Sequence, residues 1–412
     1  SSKPYEFVAR PWELKKTNSI DVFDAVCSNI RIDSKGDKVL RVLPRINHEI
    51  NEEWISDKTR FAYDGLNYQR IDKFYSRDID GKLKEDSEEN VLKILKKKFE
   101  TIESNRIASL VGNLVDCESV FAFKLFLDKI NALNYDCRQD NSFFLPRQRS
   151  SYVFNSKISG IDESDLCVLI GTDIKKEAPI LSARLRQRYL QKDNYFPVLR
   201  IGCNYKTNFN VVDLGNTPKS LNCLMKEKNK RLLKKSKKPI FIIGQGALCR
   251  DDGKEIFSYS KDLYDKFCQD VNWNGFNVLQ TFSGRVGALD LGFYNEKIIK
   301  SSKNLVSEIY KGCFDLVYLF CADEIEMQKI PKKVFVIYQG HHGDKGASRA
   351  DLIIPTSCFT EKEGVYVNLE GRPQISRQIK SPLPNIDHSW IFFNKMTKLF
   401  NLNCDYKDFN DL

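Results

Sequence analysis

A glycine-rich loop between two apolar strands constrains the fold of this chain more than any other stretch, and it lies within residues 338–374. Residues 334–338 have the length and the β-branched and aromatic content of a buried strand. A second strand is predicted at 351–354, and residues 365–372 indicate a short hairpin-like return. Because glycine tolerates sharp backbone turns, the loop between the two strands is the candidate functional site. Its candidate residues are Gly340, His341, His342 and Asp344.

The two histidines of this loop do not predict a metal site. Adjacent residues of a regular strand face opposite sides, so only a turn could bring His341 and His342 to one ion. Asp344 is near, but no H-x-E or H-E-x-x-H pattern accompanies the pair. We therefore expect one imidazole to be packed and the other to hydrogen-bond the loop backbone.

The loop belongs to one of several strand-then-helix units. Apolar runs of strand length stand at 166–171, 239–244 and 316–321, and helical patterns follow them. This rhythm predicts an α/β fold with Rossmann-like parallel sheets that helices cover on both faces. Residues 1–69 differ, since short strand-like pieces and a turn signal at 33–36 indicate a small β-rich module.

These patterns predict four units along the chain. The basic run 226–238 lies between two α/β units and is the predicted linker. The expected domains are a β-rich module at 1–75, a first α/β lobe at 76–235, a second α/β lobe at 236–380, and a C-terminal helix and tail at 381–412.

Composition argues against several classes of partner. The chain is 42% hydrophobic, yet it has no apolar run near the length of a membrane-spanning helix, so we expect no direct membrane span. The net charge of +10 is partly clustered, but the basic runs lack interleaved aromatic residues, so we expect no nucleic-acid partner. A solvated helix face or an interface with an acidic partner accounts for these runs.

No catalytic or metal-binding constellation stands out. The chain has 12 cysteines without a C-x-x-C pair, which favours buried, reduced thiols. Ligands of doubly wound sheets bind beyond the carboxyl ends of strands, and here those ends include 171–173 and 244–246. Their glycines form no complete dinucleotide fingerprint, and no Ser or Cys has an evident His and Asp partner. We therefore expect no catalytic residue.

Several segments resemble the large iron-sulfur subunit of respiratory NADH:ubiquinone oxidoreductase, complex I. The likeness runs in order through nearly the whole chain, fades after about Arg377, and is most specific in the motifs NEEWISDKTRFAYDGL and GHHGD. The segments that carry it are 2–12, 19–32, 42–63, 171–179, 288–292 and 338–371.

This resemblance implies a fold, a role and a location. These residues would correspond to the carboxyl-terminal part of that large polypeptide, which is similar to molybdopterin-dependent oxidoreductases such as formate dehydrogenases. The cluster-binding amino-terminal half of the family has no counterpart among them. The chain would be a structural, non-catalytic part of it in the matrix-side arm of complex I, at the mitochondrial inner membrane, supporting electron transfer from NADH to ubiquinone. Its partners would be other complex I subunits, including a separate chain or segment with the 2Fe-2S and 4Fe-4S cluster motifs, and these would hold the iron-sulfur clusters and FMN.

Two departures from the family pattern imply that this chain itself holds no cofactor. Some bacterial relatives bind an extra four-iron cluster through four cysteines in the first module, where this chain has Ser56 at the last ligand position and only Cys27 nearby. The corresponding molybdenum ligand would be Cys117, whose place at the start of a helix favours a buried structural thiol. The loop 340–344 is then a vestigial cofactor loop whose residues mainly bond one another. The alternative is an active oxidoreductase that still binds a molybdopterin or a dinucleotide.

Overall fold

The computed structural model describes residues 5–191, 196–268, 270, 272–300, 304–403 and 406–412. Its first elements are β1 (Lys15–Ile20), β2 (Asn29–Lys35), β3 (Lys38–Pro44), α1 (Asp57–Phe61), β4 (Phe74–Arg77), β5 (Leu83–Asp86), α2 (Glu88–Thr101), β6 (Ile107–Val111), α3 (Cys117–Lys129), β7 (Asn134–Asp136), α4 (Gly160–Glu163), β8 (Leu166–Ile170), α5 (Ile174–Glu177), α6 (Pro179–Leu190) and β9 (Val198–Ile201).

The remaining elements follow in chain order. They are β10 (Val212–Gly215), α7 (Glu227–Lys235), β11 (Pro239–Ile243), α8 (Gln245–Leu248), α9 (Gly253–Phe267), β12 (Phe276–Val278), α10 (Ser283–Asp290), α11 (Glu296–Lys300), α12 (Leu305–Tyr310), β13 (Leu316–Phe320), β14 (Phe335–Gly340), α13 (Lys345–Arg349), β15 (Leu352–Pro355), β16 (Gly364–Val367), β17 (Pro373–Ser376) and α14 (Ser389–Leu399). Within the described ranges, no helix has the length and apolar character needed to cross a membrane.

The first module contains a three-stranded antiparallel sheet in the order β1-β2-β3. Its β2–β3 hairpin turns at Gly36, which has a φ of 57° that a side-chain-bearing residue adopts at a cost. The predicted turn and the β-rich character of this module are confirmed.

A seven-stranded sheet forms the larger α/β lobe, in the order β5-β4-β15-β14-β13-β6-β7. Strands β15, β14, β13, β6 and β7 run parallel, while β4 and β5 add an antiparallel edge. Every residue of β6 and β13 is buried, as expected when helices cover both faces of a parallel sheet. The prediction of a Rossmann-like parallel sheet is confirmed.

A five-stranded sheet forms the second α/β lobe, in the order β10-β9-β8-β11-β12, with all neighbouring strands parallel. Its two central strands, β8 and β11, are buried along their whole length. The prediction of buried strands from the apolar runs at 166–171 and 239–244 is therefore confirmed.

The sheets divide the chain differently from the predicted domain boundaries. The seven-stranded sheet takes strands from both 74–136 and 316–355, whereas the five-stranded sheet lies within 166–278. A boundary at 235/236 therefore cuts the five-stranded sheet between β10 and β11, and the run expected to be a linker forms helix α7. The sequence of an apolar strand does not specify which distant strand will pair with it. Here β6 pairs with β13 although about 200 residues separate them.

The C-terminal helix belongs to the larger lobe instead of forming a separate unit at 381–412. Phe393 of α14 stacks on Phe123 of α3, with ring centroids 4.8 Å apart and planes inclined by 20°. Both rings are fully buried in the core beneath the seven-stranded sheet. Aromatic packing of this kind makes α14 part of that core.

The N-terminal module docks where the two lobes meet. Ser283 at the start of α10 donates a hydrogen bond of 2.6 Å to the carbonyl of Val22, and the backbone N–H of Leu369 donates one of 2.7 Å to the carbonyl of Ala25. From the second lobe, the buried Arg184 donates to the carbonyls of His48 and Ile50. Backbone carbonyls of the module are thus satisfied by both lobes.

Candidate functional site

The candidate site lies at the carboxyl ends of the central strands of the seven-stranded sheet. Strands β6 and β13 are neighbours there, and the strand that follows β6 is added on one side of this pair while those that follow β13 are added on the other. Doubly wound folds bind ligands where the strand order reverses in this way. The loops after β6, β13 and β14 meet the N-terminal module around a cavity of about 260 Å³. Its lining includes Phe23, Leu66, Val115, Cys321, His341 and Lys362.

A buried ion pair occupies one side of this region. The Lys362 ammonium contacts the Asp116 carboxylate, and the two side chains are 9% and 2% exposed. Asp116 also caps α3 by accepting hydrogen bonds of 3.0 Å from both the backbone N–H and the hydroxyl of Ser119. Burial by itself would raise the pKa of Asp116, but Lys362 and Ser119 outweigh it, and that pKa lies below its usual value.

Glu118, two residues further along α3, ties this helix to the hairpin of β16 and β17. The backbone N–H of Val365 donates to both carboxylate oxygens of Glu118, at 2.9 and 3.1 Å. Burial, and then the charge of Asp116, raise the pKa of Glu118 to about 7. The beginning of α3 therefore carries two carboxylates whose pKa values are shifted in opposite directions by their surroundings.

The predicted loop residues His341 and His342 contact each other, with their Nδ1 atoms 2.5 Å apart. The Nε2 atom of His342 lies 2.9 Å from the carbonyl oxygen of Gly65. Loss of hydration, and for His341 the adjacent His342, lower both pKa values, that of His341 to about 3, so both rings are neutral at pH 7. Because a carbonyl only accepts, His342 holds its proton on Nε2 and His341 donates from Nδ1.

An arginine–carboxylate pair ties the loop to the N-terminal module. Arg70 donates two hydrogen bonds to Glu361, of 2.6 and 2.7 Å, and a third of 3.0 Å to the carbonyl of His341. Burial opposes ionisation of Glu361, yet Arg70 lowers its pKa to about 2. Contrary to the expectation that the loop residues mainly bond one another, the loop bonds residues 65–71.

The glycines of the loop make room for an aromatic ring. A Cβ atom at Gly340 would lie 2.6 Å from the Tyr338 ring, and one at Gly346 would lie 2.4 Å from it. The Tyr338 hydroxyl donates a hydrogen bond of 3.2 Å to the carbonyl of His342. Asp344 is exposed just before α13. The close approach of the Tyr338 ring therefore explains why positions 340 and 346 are occupied by glycine.

A molybdenum centre does not fit the residues at this sheet end. The Sγ of Cys117 lies under α10, 2.5 Å from where a Cβ of Gly287 would be, and burial raises its pKa. Cys321 lines the cavity, and burial raises the pKa of its thiol to about 12. In the part of the chain that the structure describes, no three His, Cys, Asp or Glu side chains are grouped to hold a metal ion.

A second cavity, of about 230 Å³, lies at the carboxyl ends of β8, β9 and β11. The structure brings together the two glycine-bearing loops noted in the sequence, since a Cβ at Gly244 would lie 2.5 Å from that of Thr172. Glu177 accepts a hydrogen bond of 2.8 Å from the Thr172 hydroxyl and one of 2.9 Å from the backbone N–H of Asp173. These donors, which could otherwise bind a phosphate, are already bonded to a carboxylate.

Ser56 and Cys27 have structural contacts in the first module. Ser56 caps α1 by accepting a hydrogen bond of 3.1 Å from the backbone N–H of Thr59. Cys27 is buried, and burial together with the charge of Asp24 raises its pKa well above the usual value. It is the only cysteine of residues 14–64. A 4Fe-4S cluster takes four cysteine ligands, so these residues do not supply its ligand set.

Sequence reasoning missed the charged pairs that hold the site together. Asp116 and Lys362, and likewise Arg70 and Glu361, are more than 200 residues apart. The one available signal was the acidic-basic cluster at 361–363 directly before an apolar strand, where charges need partners if the strand is buried. That signal says which residues need partners but does not name the partners.

Comparison with protein families matches two parts of the chain. Residues 70–398 match the family described as molybdopterin oxidoreductase, and residues 14–64 match the NADH-ubiquinone oxidoreductase NDSU1/NuoG-like, 4Fe-4S domain. The second match corrects the expectation that no cofactor belongs to this chain, because the first module is a member of a 4Fe-4S domain family. Its residues nevertheless lack the four cysteine ligands that a cluster takes.

Relatives are similar over nearly the whole chain. A NADH-quinone oxidoreductase subunit of Rickettsia bellii is 43% identical over 93% of this chain and 54% of its own length. The NADH-ubiquinone oxidoreductase 75 kDa subunit of Reclinomonas americana is 41% identical over 100% of this chain and 61% of its own length. The NADH dehydrogenase (ubiquinone) iron-sulfur protein 1, mitochondrial, of Solanum tuberosum is 38% identical over 98% of this chain and 54% of its own length. The chain thus spans a little over half the length of these relatives.

A solved structure shares the fold. A chain of the formyltransferase/hydrolase complex (FhcABCD) from Methylorubrum extorquens, in complex with methylofuran, superposes with a TM-score of 0.55 at 11% identity, over 80% of this chain and 99% of that one. Together with the sheet topology and the match over residues 70–398, these comparisons show that the chain belongs to the molybdopterin oxidoreductase family and is a homologue of the Rickettsia bellii and Reclinomonas americana proteins.

Proposed function

We propose that this chain is a structural, non-catalytic part of the large iron-sulfur subunit in the matrix-side arm of mitochondrial complex I, where it supports electron transfer from NADH to ubiquinone. The observation that carries the proposal is the 43% identity to the NADH-quinone oxidoreductase protein of Rickettsia bellii over 93% of the chain. The name of the Solanum tuberosum relative, a mitochondrial iron-sulfur protein, supports the location.

The geometry of the sheet end supports a structural role. The region where this fold family binds its cofactor contains the Lys362–Asp116 pair and the His341–His342 pair, and the Arg70–Glu361 pair ties its loop to the first module. Each of these groups is bonded to protein, and the His341–His342 and Arg70–Glu361 pairs join the first module to the larger lobe. Electron transfer between clusters requires fixed spacing, which a rigid support of this kind supplies.

We also propose the partners of the chain. The relatives are nearly twice as long as the part matched here, and the remaining length would correspond to a polypeptide segment, joined to this chain or separate, with the 2Fe-2S and 4Fe-4S cluster motifs. Further complex I subunits would supply FMN and the remaining clusters.

Co-purification tests the assignment. The chain is tagged in its source, extracted in mild detergent, and its companions are identified by mass spectrometry. We expect subunits of NADH:ubiquinone oxidoreductase, together with NADH-dependent quinone reduction in the purified complex. Recovery without any respiratory subunit would overturn the proposal, and so would stoichiometric molybdenum bound to the purified chain.

A second experiment separates support from catalysis. Lys362→Met leaves the Asp116 carboxylate buried without its partner, so we expect less assembled complex. The NADH oxidation rate per assembled complex should stay at the wild-type value, because Lys362 does not take part in the reaction. Lys345→Met, at an exposed position of the same region, is the matched control and should change neither quantity. A fall in the rate per assembled complex would show that Lys362 acts in turnover.

A further inference from the structure

Most of the net charge of this protein is concentrated in one short segment. Residues 226–238 contain eight Lys and Arg residues and one Glu, a net charge of +7, compared with +10 for the whole chain of 412 residues. Like charges at this density repel one another. A surface with both positive and negative side chains would be as soluble without this repulsion. The segment therefore needs an explanation beyond solubility.

The structure shows that the segment is an ordered helix with its charges turned outward. Leu233 of α7 is fully buried in the core of the five-stranded lobe, and Leu232 packs against the same core. Several basic side chains of the segment, among them Lys234 of α7 and Lys237 just after it, are exposed. Because the apolar face of α7 is already packed, only the charged face is available to a partner.

These charges line a groove. The end of α7 and the end of α9 border a groove of about 780 Å³, which we call the basic groove. It is lined by Lys230, Lys234, Ser236, Lys237, Lys266, Phe267 and Asp270. Lysines from two different helices thus face one concave surface.

The groove is poorly neutralised by the protein itself. Lys230 lies 4.0 Å from Glu227, at the limit of an ion pair. Among the described residues, no carboxylate lies within ion-pair distance of Lys234, Lys237 or Lys266, although 55 acidic residues are present in the chain. Other surface lysines, such as Lys93, Lys261 and Lys311, do have carboxylate partners. Asp270 is the one acidic residue of its lining, so the groove keeps a net positive charge.

We propose that the basic groove binds an acidic polypeptide segment of a partner protein. Aspartate and glutamate side chains along an extended segment could each reach one of the lysines, which stand on both walls of the groove. The site lies in the five-stranded lobe, away from the sheet end described above, so the inference goes beyond the proposed function and does not depend on it.

Two other anionic partners fit less well. Single-stranded nucleic acid binds through bases stacked on exposed aromatic rings, but Phe267, the aromatic residue of the groove, is 8% exposed. An amphipathic helix that binds a membrane inserts its apolar side chains, but the leucines of α7 face the protein core. An acidic polypeptide needs neither feature.

Binding of a short fluorescent oligoglutamate peptide to the whole chain tests the proposal. We compare the wild type with the triple variant Lys234→Glu, Lys237→Glu and Lys266→Glu. The matched control is Lys16→Glu, Lys97→Glu and Lys332→Glu, which changes the net charge equally at exposed positions outside the groove. Circular dichroism checks that both triple variants remain folded, as expected for exposed residues.

We expect the groove variant to lose at least about tenfold in affinity and the control less than about twofold, because only close charges pair effectively. Wild-type binding should weaken steeply with salt, since exposed charges are screened over about 8 Å at physiological ionic strength. Zero-length carbodiimide coupling should join the peptide to Lys234, Lys237 or Lys266.

Three results would overturn the inference. Equal losses in the two triple variants would show a response to net charge alone. Tighter binding of single-stranded DNA of equal charge would point to nucleic acid, and tighter binding of phosphatidylcholine vesicles containing phosphatidylglycerol would point to a membrane surface. Absence of oligoglutamate binding at low salt would exclude the acidic partner directly.

Discussion

Lys362 contacts the carboxylate of Asp116 at the end of the seven-stranded sheet, and only 9% and 2% of the two side chains are exposed. The two residues come from segments that are distant in the sequence, the loop after β6 and the stretch before β16. Removing either charge would leave the other buried without a partner. An unpaired buried charge destabilises the folded state far more than the buried pair does. This pair is therefore the most sensitive point of the candidate site.

Lys362→Met should lower the free energy of unfolding by about 3–5 kcal/mol, the usual cost of leaving one buried charge unpaired. Urea denaturation at pH 7 measures the change. The double variant Lys362→Met with Asp116→Asn should recover most of the loss, because Asn keeps the cap of α3 without the charge. Lys345→Met, at an exposed position, should stay within about 0.5 kcal/mol of the wild type. A single variant as stable as that control would contradict the importance of the pair.

Glu361→Gln should change how stability depends on acid pH. Although burial opposes ionisation, Arg70 lowers the pKa of Glu361 from 4.5 to about 2, so its ionised form contributes about 3 kcal/mol of stability. A lowered carboxyl pKa gives stability that is present above pH 4.5 and is lost as the pH falls through about 2.

The difference in unfolding free energy between wild type and Glu361→Gln should therefore be largest at pH 6–7 and should shrink below pH 4.5. Chemical denaturation at a series of pH values follows it. Glu85→Gln, at an exposed position, is the control and should show a much smaller difference. A constant difference between pH 7 and pH 3 would show that the charge of Glu361 is not what matters.

Asp21→Asn should have the opposite pH dependence. Burial, and then the neighbouring Asp24, raise the pKa of Asp21 from 3.8 to about 7. A raised carboxyl pKa means that the folded state binds the proton more tightly than the unfolded state does. The stability that the protonated Asp21 contributes is therefore present below pH 3.8 and is lost as the pH rises through about 7. Asn is neutral at every pH, and it can keep the contact with Thr59.

The variant should therefore gain stability relative to the wild type between pH 5 and pH 8, on the order of 2 kcal/mol. Thermal unfolding at several pH values measures this gain. Asp262→Asn, at an exposed position, should show no such trend. If Asp21→Asn lost stability with rising pH, Asp21 would have to be ionised and stabilising in the folded protein.

Cys27 and Cys203 should differ strongly in reactivity. Cys27 is buried, and burial and then the charge of Asp24 raise its pKa, so the reactive thiolate is scarce, whereas Cys203 is exposed. Iodoacetamide at pH 7.5, followed by peptide mass spectrometry, should modify Cys203 faster by a factor on the order of a hundred. In denaturant the two rates should become similar. Equal rates in the folded protein would show that the first module opens readily.

Local features of the fold could be predicted well. The apolar runs at 166–171, 239–244 and 316–321 are strands, and the turn at 33–36 closes a hairpin, because burial and turn geometry depend on residues close in sequence. The candidate loop also lies where it was expected, at the end of β14. What such patterns omit is the order of strands, so the predicted lobe boundary at 235/236 divides a single sheet.

The candidate site shows the same division between local and distant information. Glycines and histidines marked the loop at 340–344, but its decisive contacts are with Arg70 and Gly65. Cys117 drew attention as a possible ligand, while its neighbour Asp116 makes the ion pair. Ser56 was notable as a missing ligand, and the structure shows it as the cap of α1.

The sequence alone determined the α/β class, the β-rich first module and the family, because these depend on short-range hydrophobic patterns and on motifs such as GHHGD. Only the tertiary structure decided that β6 lies beside β13, that Lys362 pairs with Asp116, and that the loop at 340–344 braces the first module. The physical reason is that a buried charge or an unpaired strand edge requires a partner, but which distant residue supplies it depends on how the whole chain packs.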